Sequence, residues 1–325
     1  MNPVTRRSAG FTLVAFATVP LAREQSTVWP TKPIRIIVPA PPGGAYDRTI
    51  RPLAQEMAAQ LKQPVVIENK PGAGNIIGTQ AGVTAAPDGY TLTMTGMLNT
   101  IAQGIYERVP FDIVTDFAHI ACIGGGEQWL VVNSQAGIGS FSALIEQARR
   151  EPGKLNYATS GQGSTGHLVM ELLQRATATQ LTHVPYKGGA PALQDVLAGL
   201  VPITVIPGSG AVAHVQSGKL KVLAVSSAAR SPDLPQVPTF EELGHKRLTV
   251  VSWVGLSAPK GTPPEIVDQL YATVRASMAN KDLMAKLTAE GLTPMLMPPA
   301  QFTQLVRSDT ERWGQLTRSL NLKAN

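Results

Sequence analysis

Residues 161–166 read Gly-Gln-Gly-Ser-Thr-Gly, with the G-x-G-x-x-G spacing of a phosphate-cradling loop. A strand-like run, residues 155–159, precedes it, and a helix-like run, residues 167–173, follows. Glycines let backbone approach a ligand, and the free amides of a helix start favour an anion. A dinucleotide site also needs an acidic residue about 20 positions on, to hold the ribose. That region is Leu181-Thr182-His183-Val184-Pro185-Tyr186-Lys187, without a carboxylate. The chemistry left is anion binding, and no cofactor is expected. Ser164 and Thr165 can add hydroxyl donors, or simply cap the helix.

Two more loops share this design. Pro41-Pro42-Gly43-Gly44-Ala45-Tyr46-Asp47 follows a strand-like run and opens a helix-like one. So does Pro185-Tyr186-Lys187-Gly188-Gly189-Ala190-Pro191. Loops at the carboxyl ends of parallel strands are where open α/β sheets bind ligands. Asp47 reads as a helix-start residue, because carboxylates favour that end of the helix dipole. Gly44→Val is expected to weaken binding more than Lys187→Ala, because the loops are read as binding through backbone.

No catalytic or metal-ligating residue emerges. Ser164 has Gln162 two places earlier, so the G-x-S-x-G elbow is absent. The histidines, at 119, 167, 183, 214 and 245, have no metal-ligand spacing. Cys122 is the single cysteine, which excludes an internal disulfide, and its apolar surroundings read as core.

The elements that must position these loops alternate. Strands are expected at 34–38, 64–68, 91–95, 129–133, 155–160, 181–186, 203–207 and 220–226. Helices are expected at 46–61, 76–85, 141–150, 167–176, 190–198 and 210–217, and in the final portion at 265–278, 281–290 and 299–320. This order implies an α/β fold with largely parallel sheets. Extended stretches 119–132 and 248–258 flank the middle series, so the chain is expected to cross to a second lobe and back. The expected parts are residues 33–124 for the first lobe, 125–253 for the second, and 254–325 returning to the first with the C-terminal helices. A two-strand hinge is expected near 122–130 and 248–257, with a ligand cleft between the lobes.

The N-terminus reads as an export signal over residues 1–22. Arg6-Arg7 precede an apolar run, residues 11–19, too short to span a bilayer. The chain is 43% hydrophobic and 15% charged, enough to bury a sizeable core. Its net charge of +6 comes from scattered basic residues, and aromatics make up only 5%, so no nucleic-acid surface is expected.

Further stretches carry a family likeness. They include Trp29-Pro30-Thr31-Lys32-Pro33-Ile34-Arg35, Glu68-Asn69-Lys70-Pro71-Gly72-Ala73-Gly74-Asn75 and Ala86-Pro87-Asp88-Gly89-Tyr90. Later ones are Gly218-Lys219-Leu220-Lys221-Val222-Leu223, Val237-Pro238-Thr239-Phe240-Glu241-Glu242-Leu243-Gly244 and Ala258-Pro259-Lys260-Gly261-Thr262-Pro263. In this order they resemble the periplasmic solute-binding proteins of tripartite tricarboxylate transporters, the Bug family. The resemblance implies a two-lobed, monomeric periplasmic binding protein that delivers a small organic carboxylate to integral-membrane permease subunits. It implies binding by loop amides, hydroxyls and water. The first-lobe loop then maps to residues 41–47, and the second-lobe loop to Ser160, Gly163, Ser164, Thr165, Gly166 and His167. Thr95, Gly96, Tyr186, Lys187, Gly188, Pro207 and Gly208 complete the candidate site. Ala40 stands where the family often has Phe, and Ile206 where many members have an acidic residue. The expected ligand is therefore a di- or tricarboxylate without an amino group, with an apolar or aromatic body. A ligand-sensing subunit and, more remotely, a nucleotide-dependent oxidoreductase are the competing readings.

Overall fold

The computed structural model describes residues 29–290, 292–320 and 322. The export signal expected over residues 1–22 lies outside the described residues.

The first lobe begins with β1 (Ile34–Val38), whose β-branched run Ile-Arg-Ile-Ile-Val is buried except at Arg35. Helix α1 (Ala45–Leu61) turns Ile50, Leu53, Met57 and Leu61 inward at helical spacing. Then come β2 (Val65–Asn69), α2 (Ile76–Val83), β3 (Thr91–Gly96) and α3 (Met97–Ile105). β4 (Phe117–Asn133) is a single 17-residue strand. The second lobe adds α4 (Phe141–Arg150), β5 (Asn156–Thr159), α5 (Thr165–Thr177), β6 (Thr182–Pro185), α6 (Gly189–Leu197), β7 (Ile203–Pro207), α7 (Val212–Gln216) and β8 (Leu220–Val225). The chain returns through β9 (Val251–Pro259) to α8 (Pro264–Met278), α9 (Lys281–Ala289), β10 (Thr293–Met297) and α10 (Pro299–Ser319). Proline occupies the first helical position of α8 and of α10, where its missing N–H costs nothing.

Strand pairing divides the structure. β2, β1 and β3 are parallel neighbours, and β9 joins β3 antiparallel. β4 pairs antiparallel with β9 as far as Glu127↔Val251. From Gln128 onward its partners are β7 and β8, both antiparallel. β5 then lies parallel to β7 and to β6. The expectation of parallel sheets holds for the outer strands of each lobe. The strands that carry the chain between lobes come back antiparallel, so both sheets are mixed.

The crossings are clasped by Ser226, which is fully buried. Gln128 N–H donates to its Oγ (2.8 Å), and that hydroxyl donates to the Val250 carbonyl. Ser226 N–H donates to the Gln128 carbonyl, and Val250 N–H to the Ser226 carbonyl, both at 2.9 Å. One residue thus ties both connecting strands together where β4 changes partners. Cys122 is buried as expected, and burial pushes its thiol up to about 12, leaving an unreactive packing residue.

Candidate functional site

The first-lobe loop is built around Asp47, the third residue of α1. Gly43 N–H and Arg51 Nε donate to its Oδ2 at 2.9 and 2.8 Å, and Asn69 Nδ2 donates to its Oδ1 at 2.9 Å. Asn69 also holds the Ala40 carbonyl, which ties the loop to the end of β2. The Arg51 hydrogen bond, against the cost of burial, brings the Asp47 carboxyl down to about 2. Asp47 is therefore a structural anchor for the loop, with three of its acceptor sites used inside the protein.

The turn itself depends on Gly43, at φ +77°, and not on Gly44, at φ −70°. A Cβ at Gly43 would meet nothing within 4 Å, so a substitution there is strained but not clashing. Gly43→Val is expected to lower stability by about 1–2 kcal/mol, the cost of a left-handed L-residue, and Gly44→Ala by less. Urea unfolding of the two variants checks this order; equal losses would refute it.

Tyr46 turns into the core. Its hydroxyl has no hydrogen bond of good geometry; burial raises its pKa well above the usual phenol range, and the nearby Asn75 side chain partly opposes this. Its ring fills the space beside Gly96, where a Cβ would lie 1.9 Å from the phenol oxygen. Gly96 N–H is held by Asn99 Oδ1 (2.9 Å). Thr95 is fully buried and shares a hydrogen bond with Ser257 Oγ (2.9 Å), which in turn meets His119 Nδ1 (2.9 Å). The Thr95 side chain thus belongs to an internal polar chain rather than to an open binding surface.

In the second-lobe loop, Ser160 is exposed and Gly163 adopts φ +74°. Gly163 N–H donates to His167 Nδ1 (3.0 Å), which fixes the proton of the neutral ring on Nε2. Ser164 caps α5 through a long bond from His167 N–H (3.4 Å). The first amides of α5, at Thr165 and Gly166, have no carbonyl to bond within the helix. The His167 ring stacks on His183 with centroids 4.1 Å apart, and His183 stacks on Tyr157 at 5.0 Å. Burial lowers both histidines to about 4. His167 therefore shapes the loop from below, as a neutral acceptor.

The remaining candidates are scattered more widely. Tyr186 Oη donates to Asp195 Oδ2 (2.5 Å), and Lys187 is exposed. Gly188 adopts φ +122° before α6. Pro207 is exposed, and Gly208 packs beneath the Trp129 ring, which a Cβ would meet at 2.5 Å. Ile206 is 6% exposed and packs with Trp129, Ala211 and Val225 in a second-lobe core cluster. The contrast expected at Ile206 thus falls on a core position.

Sequence reasoning missed Glu127 and Leu98. Glu127 sits where β4 changes partners, and accepts from Trp129 Nε1 (2.7 Å) and from Ser227 Oγ. Leu98 is 40% exposed on the first turn of α3. Glu127 follows Gly124-Gly125-Gly126 inside the long strand β4, and Leu98 lies within α3, so neither belongs to a loop that ends a strand and opens a helix. The two glycine loops meet opposite ends of α3: Tyr46 packs on Gly96 at its start, and a Cβ on Gly163 would meet Ile105 at its end. At 1.5 Å per residue, α3 holds them roughly 14 Å apart. The four cavities of about 700, 500, 690 and 170 Å³ described in this structure are not lined by the candidate residues.

A family model described as the tripartite tricarboxylate transporter family receptor matches residues 49–322. The chain belongs to this family. It is 35% identical over 297 residues to the protein BugT of Bordetella pertussis, covering 91% of each chain. The solved structure of Rpa4515 of R. palustris with adipate is similar, with TM-score 0.77 and 32% identity, over 89% of this chain and 97% of that one. MatC of Rhodopseudomonas palustris, with bound malate, gives TM-score 0.74 and 30% identity, over 89% of this chain and all of that one. This receptor family member is a solute-binding protein and not an enzyme, so the oxidoreductase reading of residues 161–166 falls. Among the described residues, no helix is long and apolar enough to cross a membrane.

Proposed function

We propose that this protein captures a small di- or tricarboxylate lacking an amino group in the periplasm and delivers it, as a monomer, to the permease subunits of a tripartite transporter. The observation that carries this reading is the pair of glycine loops, each ending a strand and opening a helix whose first amides, such as those of Thr165 and Gly166, have no carbonyl to bond within the helix. Hydrogen bonds from such donors to a charged group contribute about 1.5–3 kcal/mol each. The adipate and malate bound by two relatives favour the same ligand class.

The absence of an amino group is argued from occupied carboxylates. An ammonium buried in the cleft needs an acceptor, because an unpaired buried charge is costly. Asp47 is taken by Arg51, Asn69 and Gly43, Asp195 by Tyr186, and Glu127 by Trp129 and Ser227. The exposed Leu98, two residues after Gly96, offers contact for an apolar ligand body. In competition calorimetry, adipate, malate or citrate is expected to bind at least about tenfold more tightly than aspartate or glutamate, or about 1.4 kcal/mol. An amino acid as the best ligand would overturn this reading of the ligand class.

The lobes are proposed as residues 33–124 with 254–325, and 125–253, closing about the Ser226 clasp. A ligand touching both lobes favours the closed arrangement and shifts the population toward it. Small-angle scattering with saturating ligand is expected to show compaction; an unchanged radius alongside confirmed binding would sink the hinge.

A further inference from the structure

A groove of about 690 Å³ lies away from the glycine loops, at the seam between α5 and α10. Four cations line it, Arg175, Lys246, Arg247 and Arg312, and no lining residue is acidic. Arg175 spans the lobes: its Nη1 and Nη2 donate to Ser319 Oγ (2.7 Å) and to the Ser319 carbonyl (3.0 Å). Arg312 donates to the carbonyls of Thr249 (3.1 Å) and Arg247 (2.7 Å), and lies over the Trp313 ring. These bonds fix two guanidinium groups as the walls of the groove. Lys246 is exposed and pairs only with Glu241 (3.1 Å), and Arg247 is exposed beside it.

We propose that this groove docks an acidic segment of the membrane permease, and that it reads the arrangement of the lobes. The identity of the partner rests on the function proposed above. Charge complementarity argues for the occupant, since the four cations outnumber the carboxylates beside them, Glu241 at Lys246 and Asp309 near Arg312, and so attract an acidic segment and speed its encounter. The donors do not converge on one point, because Arg175 and Arg312 already serve backbone carbonyls. That favours an extended acidic chain over a small anion. α5 belongs to the second lobe and α10 packs on α3 and β4, so movement of one lobe against the other pulls the groove apart. A partner seated there distinguishes one lobe arrangement from another without touching the bound solute.

The test uses the whole protein with a synthetic oligoglutamate peptide, and separately with permease subunits in proteoliposomes. Lys246→Glu with Arg247→Glu, two exposed side chains of one lobe, reverses the charge of this edge of the groove. Lys154→Glu with Lys260→Glu makes the same change in net charge elsewhere. The groove pair is expected to weaken peptide binding at least tenfold and the control pair less than twofold, with carboxylate affinity within twofold of wild type in both. Uptake by the proteoliposomes is expected to fall at least tenfold for the groove pair alone. Equal losses in both pairs would overturn the proposal. So would groove-dependent binding of inorganic pyrophosphate with uptake unaffected by the groove pair. If the protein binds no carboxylate, the functional reading fails, while the peptide measurement still decides the groove.

Discussion

Acidification from pH 6.5 to 4.5 is expected to cost this protein several kcal/mol of stability. His119, His167 and His183 are each lowered from 6.5 to about 4, chiefly by burial. For His183 the stacked His167 imidazole lowers the value as well, after burial. Glu171, which lies 3.7 Å from His167 Nε2, pulls His183 the other way, but burial outweighs it. The sign follows from proton counting. Below pH 6.5 the unfolded chain protonates these rings and the folded chain does not, so stability falls with pH until the folded values near 4 are reached. A buried ring contributes a slope that rises to about 1.4 kcal/mol per pH unit once the unfolded imidazole is protonated, so His119 alone contributes about 2 kcal/mol over this range. The half-covered His183 contributes less, because solvent screens its charge. Asp47, held down to about 2, loses its contribution only as pH falls from 3.8 toward 2, below the histidine window. Urea midpoints at pH 7, 5.5 and 4.5, with imidazole proton shifts followed by NMR, measure both parts. A flat midpoint across this range, or His119 titrating near 6.5, would contradict the argument. Protonation of His167 in the folded chain, near pH 4, also removes the acceptor of Gly163 N–H, so carboxylate affinity is expected to decline only there, at the acid end of the stability loss.

Gly166→Ala is expected to damage both the fold and the second-lobe loop. A Cβ there would lie 2.4 Å from the Val205 carbonyl oxygen and 3.3 Å from its carbon. Val205 is in β7, paired with Leu130 of β4, so that carbonyl cannot withdraw. The strand and the start of α5 must separate, carrying Ser164 and Thr165 with them. Overpacking of this kind costs about 1–3 kcal/mol, and more where backbone is the obstacle; the gain in helix propensity, about 1 kcal/mol, returns part of it. The net loss is expected at about 2 kcal/mol, with carboxylate affinity reduced at least tenfold in the variant that still folds. Gly189→Ala is the contrast. It opens α6 with nothing within 4 Å of its Cβ, and its stability is expected to stay within about 0.5 kcal/mol. Denaturation of the pair decides the matter: a Gly166 variant as stable as the Gly189 variant would show that α5 does not need this close approach.

Most elements were legible because their apolar residues recur at period 2 or 3.6. The helices ending in the 17-residue α1 and the 21-residue α10 differ from expectation by a residue or so. α3 was missed. Asn99, Thr100 and Gly104 are weak helix formers, and its stability comes from α10: a Cβ at Gly104 would lie 2.0 Å from Thr317 Oγ1 and 3.2 Å from the Gly314 Cα. That close approach of two helices separated by two hundred residues leaves no local trace. β10 was missed for a similar reason, since Pro294 interrupts its run and the strand exists by pairing with β4 across an irregular register.

The alternation of strands and helices, the glycine loops that open α1, α5 and α6, and the family likeness are all written in local composition and short spacings, and so could be read from the chain alone. Tertiary structure alone decided what the loop residues do. Asp47 could have faced a ligand until Arg51 and Asn69 were seen to fill its acceptor sites, and His167 until Gly163 was seen to donate to its ring. Ile206 could have lined a cleft until its side was set by pairing with Trp129. The physical reason is the same in each case. A polar or apolar side chain has several partners within reach of its own loop, and only the packing of distant strands and helices selects the one it keeps.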